Sequence, residues 1–416
     1  MPNVSFTGLL IVAIVAFLAP LLLGLTPARR LPAIVLEIVA GIVIGPSVLG
    51  WVKVDLPISI LSVLGLAFLL FLAGLEVELE RLRGRLLMYV GLAFLLSLGL
   101  ALLVGYGLYV AGQVVSPLLI AIILVATGLG IVIPVLKDAG ESDSDFGQLV
   151  ISGAMFAEFG SIILLSLFFS REATSTITKL VLLGGFVLLA VGFAFVVLRL
   201  ERSMRIAAVL LRLQDTTAQI RVRGAFMLLA AFVALASFLG LETILGAFIA
   251  GVILRLVDGD QMMTHPQFRQ KLEAIGFGVF IPVFFVTSGI RFDLAALLSS
   301  PSTILRIPIF LVALLLVRGV PALLYRPLVS ARRAVVAGLL QATSLSFIVA
   351  ASQIGMELGL ITKATGAALI AAGLLSVLIF PLLALTVLRR AVTVSTALPN
   401  PSDSLANTGN RKDLYG

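Results

Sequence analysis

The sequence has no cysteine, one histidine, one tryptophan and little charge: Asp, Glu, Lys and Arg make up 12% of its 416 residues. Without cysteine, disulfide scaffolding and thiol chemistry are excluded. The lone His265 leaves no imidazole cluster to hold a catalytic metal. Soluble domains carry about 25% charged residues and 45–50% apolar ones. This chain has half that charge, 60% hydrophobic residues and a mean hydropathy of +1.20, so it cannot cover a water-facing surface of its size. Strand-like alternation of apolar and polar residues is also missing, which argues against a membrane β-barrel.

What is present is a series of continuous runs of Leu, Ala, Val and Gly, each near the roughly 20 residues that span a bilayer as a helix. They fall near 8–26, 33–50, 58–79, 86–112, 115–136, 148–169, 178–199, 222–239, 242–256, 273–290, 303–326, 333–356 and 363–388. The expected fold is therefore an all-α polytopic membrane protein with about 13 transmembrane helices. Because 242–256 is short, counts of twelve or fourteen stay open. The first run, Leu9 to Leu25, follows no basic segment and precedes no small-residue cleavage pattern, and is expected to span rather than be removed.

The basic residues test the count, because short cytoplasmic loops are enriched in Lys and Arg. With the N-terminus outside, 22 of them fall on the inner side, 6 on the outer side, and one, Arg318, within a span. The alternation predicts an outer N-terminus and a cytoplasmic C-terminus. It also accounts for the net charge of +8 without nucleic acid: the charges set topology and can attract anionic lipid. The loop near 200–221 has Met204, Ala207, Leu210 and Leu211 at helical spacing among arginines and predicts an interfacial helix. The Ser-, Asn- and Pro-rich stretch 391–416 reads as a short disordered cytoplasmic tail.

Charged groups inside a bilayer are costly and mark function by default. Three fall within spans: Glu37, Glu158 and Arg318. Glu158 sits near mid-membrane, where a carboxylate binds a proton or a cation, or staples helices. Arginine is effectively always charged, so Arg318 is expected to be a counter-charge or a structural group. Glu37 lies nearer the cytoplasmic face and can serve packing as well as function. Two segments at membrane depth are rich in Gly, Pro and hydroxyls: Ala126 to Pro134, with Thr127 and Gly128, and Gln341 to Ser346, with Thr343, Ser344 and Ser346. Gly and Pro weaken helices there, and hydroxyls satisfy the freed backbone. Interrupted helices in corresponding positions of two halves point to a transporter's substrate site. They are the fifth and twelfth segments, and an odd offset makes the repeat an inverted one.

Several stretches carry a family resemblance. They are Leu31-Pro32 with Glu37 to Ser47, Phe71 to Glu76, Ala126 to Lys137, Leu245 to Gly251, and Pro282 to Asp293. In this order and spacing the chain resembles the cation:proton antiporter superfamily, especially the bacterial sodium/proton and potassium/proton antiporters of its second branch, over about residues 10–390. The resemblance implies the sodium/proton antiporter fold, with inverted repeats and two broken crossing helices. It implies a transmembrane antiporter domain over 1–390, with a core bundle near 86–169 and 303–388 and scaffold or dimer spans near 8–79 and 178–290.

The family's ion site is an acidic or Asn-Asp pair; here it reads Ala157-Glu158, so the ion-binding carboxylate maps to Glu158. Ion or proton binding is thus expected at Glu158, Thr127, Gly128 and Ser161, with Glu158 as the ligand of a monovalent cation. Arg318 maps to the basic position that usually pairs with the first acid; with alanine there, its partner is expected to be Glu158 or Glu37. The expected activity is exchange of sodium or potassium for protons, electroneutral and of elevator type, with no cofactor beyond the transported ions. The expected setting is a homodimer in a bacterial or archaeal inner membrane, serving pH homeostasis. A channel-like potassium efflux protein and a transporter of another substrate are the alternatives. No enzyme chemistry is expected, since no nucleophile–base pair can be placed at depth.

Overall fold

The computed structural model describes residues 6–25, 32–76, 84–169, 176–201, 219–257 and 267–396. The interfacial helix expected at 200–221 falls largely outside these residues, as do His265, the segment 397–416 and several loop arginines. The last helix continues to Thr396, six residues into the tail expected from 391.

Among the described residues the chain is helical throughout. The helices are α1 (Thr7–Leu25), α2 (Ala33–Ile44), α3 (Leu56–Leu75), α4 (Gly84–Val110), α5 (Pro117–Val125), α6 (Leu129–Asp138), α7 (Asp145–Phe168), α8 (Thr176–Glu201) and α9 (Ile220–Phe238). They continue as α10 (Thr243–Val257), α11 (Gln267–Ile275), α12 (Ile281–Ile290), α13 (Leu294–Leu298), α14 (Pro301–Leu314), α15 (Ala331–Gln341), α16 (Ser346–Glu357) and α17 (Lys363–Thr396). Among the described residues, ten helices or joined helix pairs are long and apolar enough to cross a membrane. Shorter apolar helices lie at Ala33–Ile44, Leu180–Phe193 and Thr243–Val257.

The helix starts are written locally. Asp55, Ser144, Ser300 and Ser330 each cap a helix by accepting a backbone N–H three residues on. Gly140 and Gly359, at φ of 71° and 69°, take the left-handed conformation that ends α6 and α16.

Two helices change pitch within a span, each just before a proline. Residues Gly276–Phe280 form a π-helical turn ahead of Pro282, and Leu315–Gly319 form another ahead of Pro321. Proline has no N–H and its ring crowds the carbonyl four residues back. Those carbonyls, at Gly278 and Val317, lie inside the π turns, which redistribute the disrupted bonds. The second π turn carries Arg318.

Packing divides the helices into two groups. α2 and α3 lie against α12, α3 and α9 lie against α10, and α8 joins α10; α4, α5 and α7 pack together, and α14, α15 and α16 pack on α17. Two glycine pairs set the closest approaches in the first group: Gly41 meets Gly289, and Gly74 meets Gly251, with a side chain at any of the four running into the opposing backbone. Membrane helices associate closely through such small residues, and these four glycines come from four of the family-like stretches. In the second group, the window spanning α15 and α16 is 89% buried and that spanning α5 and α6 is 72% buried, against 11% for α1. The interrupted helices therefore form the centre of the molecule.

Candidate functional site

The fifth and twelfth apolar segments are each split into half-helices, α5/α6 and α15/α16. None of these half-helices exceeds 12 residues. At 1.5 Å per residue, 12 residues reach about 18 Å, short of the roughly 30 Å hydrocarbon core. Backbone left open by the breaks must then be satisfied inside the protein. The two breaks do this for each other. Gly128 donates its N–H to the carbonyl of Thr343 at 2.8 Å, and the Thr127 hydroxyl donates to the carbonyl of Gln341 at 2.7 Å. Ser376, on α17, accepts the N–H of Ser344 at 3.2 Å and donates back to the Ser344 carbonyl at 3.1 Å.

Glu158 stands at this crossing. It is the fourteenth residue of α7, about 20 Å along that helix, and is 5% exposed. One carboxylate oxygen, Oε2, accepts the N–H of Leu129 at 3.1 Å, at the start of half-helix α6. A helix N-terminus carries a partial positive charge that favours an anion. Ser161, one turn further along α7, and Ser344, in the second break, are fully buried, and neither hydroxyl has a hydrogen-bond partner among the described residues. Buried polar atoms are nearly always paired, so these two orphan oxygens are exceptional.

Arg318 is 1% exposed and reaches the other side of the crossing. Its Nε donates to Thr127 Oγ1 at 2.9 Å, Nη1 to Ser97 Oγ at 3.1 Å, and Nη2 to the Gly153 carbonyl at 3.2 Å and Gln341 Oε1 at 3.3 Å. Tyr325 pairs with the same Gln341 side chain. The expected partner, Glu158 or Glu37, is not among these atoms. The guanidinium is instead held by hydroxyl, carbonyl and carboxamide oxygens, because the π turn at 315–319 and Gly153 bring them within reach. With no side chain, Gly153 leaves its carbonyl open; an added Cβ would collide with Gln341 Nε2 and lie 2.9 Å from Tyr325 Oη.

The other expected residues separate. Thr343, in the break, donates its hydroxyl back to the Leu339 carbonyl of α15. Ser346, 8% exposed, starts α16. Glu37 is buried on α2, which packs on α12, and shares no hydrogen bond with the crossing among the described residues. Sequence reasoning passed over Ser97, Gly153, Tyr325 and Ser376; Ser97 and Ser376 were visible as polar residues in mid-span, a pattern that marks interhelical hydrogen bonds.

A cavity of about 190 Å³ opens beside α7. It is lined by Glu76 and Arg269 from the first helix group and by Ser142, Gln148, Ser152 and Met155, among others, from the second. Met155 is three residues before Glu158, so the cavity ends one helical turn from the carboxylate. Arg269 Nη2 lies 3.7 Å from Glu76 and its Nε 2.6 Å from Glu273.

Two interrupted apolar helices paired at their breaks, beside a buried carboxylate, define the antiporter fold of membrane transporters. The chain belongs to the sodium/hydrogen exchanger family, whose pattern matches residues 13–389. That membership places it among multi-pass membrane transporters rather than enzymes. It is 31% identical over 401 residues to a putative Na(+)/H(+) antiporter, YjbQ, of Bacillus subtilis, a match covering 92% of this chain and 63% of that protein's length. It is 29% identical over 386 residues to a probable Na(+)/H(+) antiporter of Methanocaldococcus jannaschii, covering 89% of this chain and 94% of that one. The fold is also that of the sodium proton antiporter MjNhaP1 of M. jannaschii, with a TM-score of 0.66 at 18% identity over 92% of this chain and 98% of that one.

Proposed function

We propose that the protein exchanges a monovalent cation, sodium or potassium, for protons, and that the two compete for Glu158. The observation that carries this reading is the crossing itself: a buried carboxylate tied by one oxygen to the Leu129 N–H, with the hydroxyls of Ser161 and Ser344 unpartnered among the described residues. Alkali cations take oxygen ligands, and carboxylate, hydroxyl and carbonyl oxygens are what the two breaks offer. Thr127 and Gly128 hold the break in register through Gln341 and Thr343, so their part is to position the site. The relatives' names as Na(+)/H(+) antiporters support the substrate class.

The charges at the crossing balance in a way that favours competition. The starts of α6 and α16 bring partial positive charge, and the ends of α5 and α15 partial negative charge. Arg318 bonds Thr127 and Gln341, at those two negative ends, and so offsets them without neutralising Glu158. The carboxylate keeps one charge, to be matched by one proton or one monovalent cation. Exchange is then one for one and electroneutral. Neither state of Glu158 is left uncompensated while access changes, whereas the empty, ionised carboxylate is costly in a low-dielectric interior and resists crossing. That asymmetry is what couples the two fluxes.

The two helix groups supply the motion. In this reading α4–α7 and α14–α17 form a core that carries Glu158 past a scaffold of α1–α3 and α8–α12, an elevator-type movement. The cavity between Glu76, Arg269 and Ser152 is then the inner vestibule, the basic loops are cytoplasmic, and the N-terminus is outside. The apolar face of α1, with Leu10, Phe17, Leu21 and Leu22 exposed, is available for a second copy in a homodimer. The test is a pH dye in proteoliposomes supplied with sodium, potassium or lithium: wild type collapses a proton gradient with at least one cation, and Glu158→Gln with none. Gradient collapse that needs no counter-ion movement would instead indicate a channel-like efflux protein.

A further inference from the structure

On the face away from the Glu76–Arg269 cavity, the two helix groups are drawn together. The Phe159 ring of α7 stacks on Phe248 of α10 with centroids 5.2 Å apart. The Glu242 N–H donates to Ser166 Oγ at 3.4 Å. Between α12 and α16, Gln353 Nε2 donates to Ser288 Oγ at 3.2 Å. Ser288 is 19 residues beyond Arg269, a helical rise of about 28 Å, so this bond closes the opposite side of the molecule from the cavity.

The seam between α12 and α16 is polar where a simple seal would be apolar. Ser288 satisfies its proton within its own helix, donating to the Phe284 carbonyl at 2.7 Å. Thr287 and Ser352 have the same option four residues back, a common resort of hydroxyls in membrane helices, yet neither takes it. Both side chains are fully buried and their hydroxyls have no partner among the described residues. Each is adjacent in sequence to a member of the Gln353–Ser288 pair. Unpaired buried hydroxyls are destabilising, and two flanking one interhelical bond are accounted for if water or an ion occupies the seam in another conformation. Ser352 also lies six residues, roughly 9 Å, along α16 from its start at the crossing, on the outward course from Glu158.

We infer that the outer leg of the transport path runs between α12 and α16, lined by the oxygens of Thr287, Ser288, Ser352 and Gln353. Its ligand is a partly hydrated monovalent cation, and the Gln353–Ser288 hydrogen bond closes it in the conformation described. The inference rests on the exchange reading proposed above for Glu158. It adds a set of residues that meet the ion after it leaves the crossing, and a bond that must break for that to happen.

The absence of cysteine makes the seam directly measurable. Single cysteines are placed at Ser352→Cys and Thr287→Cys, with Ser299→Cys on an exposed connection as the positive control. Each variant is reconstituted in proteoliposomes and exposed on both sides to a trimethylammonium-ethyl methanethiosulfonate, a small cation that does not cross lipid. The expected result is slow labelling at Ser352→Cys and Thr287→Cys relative to Ser299→Cys, because the seam opens only during turnover. Adding Gln353→Leu or Ser288→Ala accelerates it by about threefold to tenfold, the range one net hydrogen bond gives, and labelled Ser352→Cys loses cation–proton exchange. No labelling at either position under a sodium gradient, while Ser299→Cys reacts, overturns the path. Labelling indifferent to both bond-breaking changes overturns it equally. If wild type exchanges no cation, it is the Glu158 reading that falls, and the labelling rates still report on the seam.

Discussion

Replacing Gly153 by alanine adds one methyl group at the point where the arginine network is tightest. The new Cβ collides with Gln341 Nε2 and comes within 3.1 Å of Gln341 Cδ and 2.9 Å of Tyr325 Oη. Gln341 is 1% exposed and cannot swing into lipid. Its Oε1 also accepts from Arg318, so yielding to the methyl breaks that bond and the pair with Tyr325. Overpacking of this kind costs about 1–3 kcal/mol, and each lost net hydrogen bond about 1 kcal/mol more. The gain in helix propensity from Gly to Ala returns up to about 1 kcal/mol. The net expectation is a loss of about 2–5 kcal/mol, read as a lower melting temperature by circular dichroism in detergent. Gly91→Ala, on α4 with nothing within 4 Å of the added Cβ, is the control and should be neutral or slightly stabilising. In a Gln341→Ala background the collision partner is gone, and Gly153→Ala should cost little. The coupling between the two changes is then about 2–5 kcal/mol, well above the scatter of independent sites. Gly153→Ala as stable as Gly91→Ala, or equally costly with and without Gln341, would refute the packing argument.

Three further outcomes follow from the same geometry. Ser376→Ala leaves the Ser344 N–H of the second break without its acceptor, which costs about 1–3 kcal/mol for a buried donor; melting falls and the cation concentration for half-maximal exchange rises, whereas Ser376→Thr, which keeps the hydroxyl, retains more of both. Glu76→Gln removes a negative charge from the cavity leading to Glu158 and raises the cation concentration for half-maximal rate severalfold, with the maximal rate nearly unchanged, an effect that fades in high salt. Arg269→Gln shifts that concentration the other way; dye assays over a sodium titration read both, and shifts of the same sign would contradict the vestibule assignment.

The architecture was legible because lipid leaves few alternatives. The continuous apolar runs gave the helices, and the Gly, Pro and hydroxyl residues of Ala126 to Pro134 and Gln341 to Ser346 gave both breaks. What joins the breaks was partly hidden. Thr127 stands out as polar at depth, but nothing in its neighbourhood says that its partner is the carbonyl of Gln341, 214 residues away. Arg318 was found by its charge and given the wrong partner. Charge pairing led to Glu158 or Glu37, whereas a π turn ahead of Pro321 and a glycine at 153 place four neutral oxygen groups around the guanidinium instead. Proline and glycine announce local freedom in a sequence without saying what it will be used to approach. The glycines of the family-like stretches show the same limit: Gly41 with Gly289 and Gly74 with Gly251 are close-packing pairs, a role visible only once the helices are brought together.

Competition at Glu158 is tested most directly without transport. Purified protein in a weakly buffered detergent solution with a pH dye receives a pulse of sodium or potassium chloride, with choline chloride as the ionic-strength control. If cation and proton exclude each other at this carboxylate, wild type releases up to about one proton per chain, more at pH values where the site is protonated before the pulse, as linkage requires. Glu158→Gln, folded by its circular dichroism, releases none. Proton release that persists in Glu158→Gln, or its absence in a wild-type sample that transports, would contradict the account.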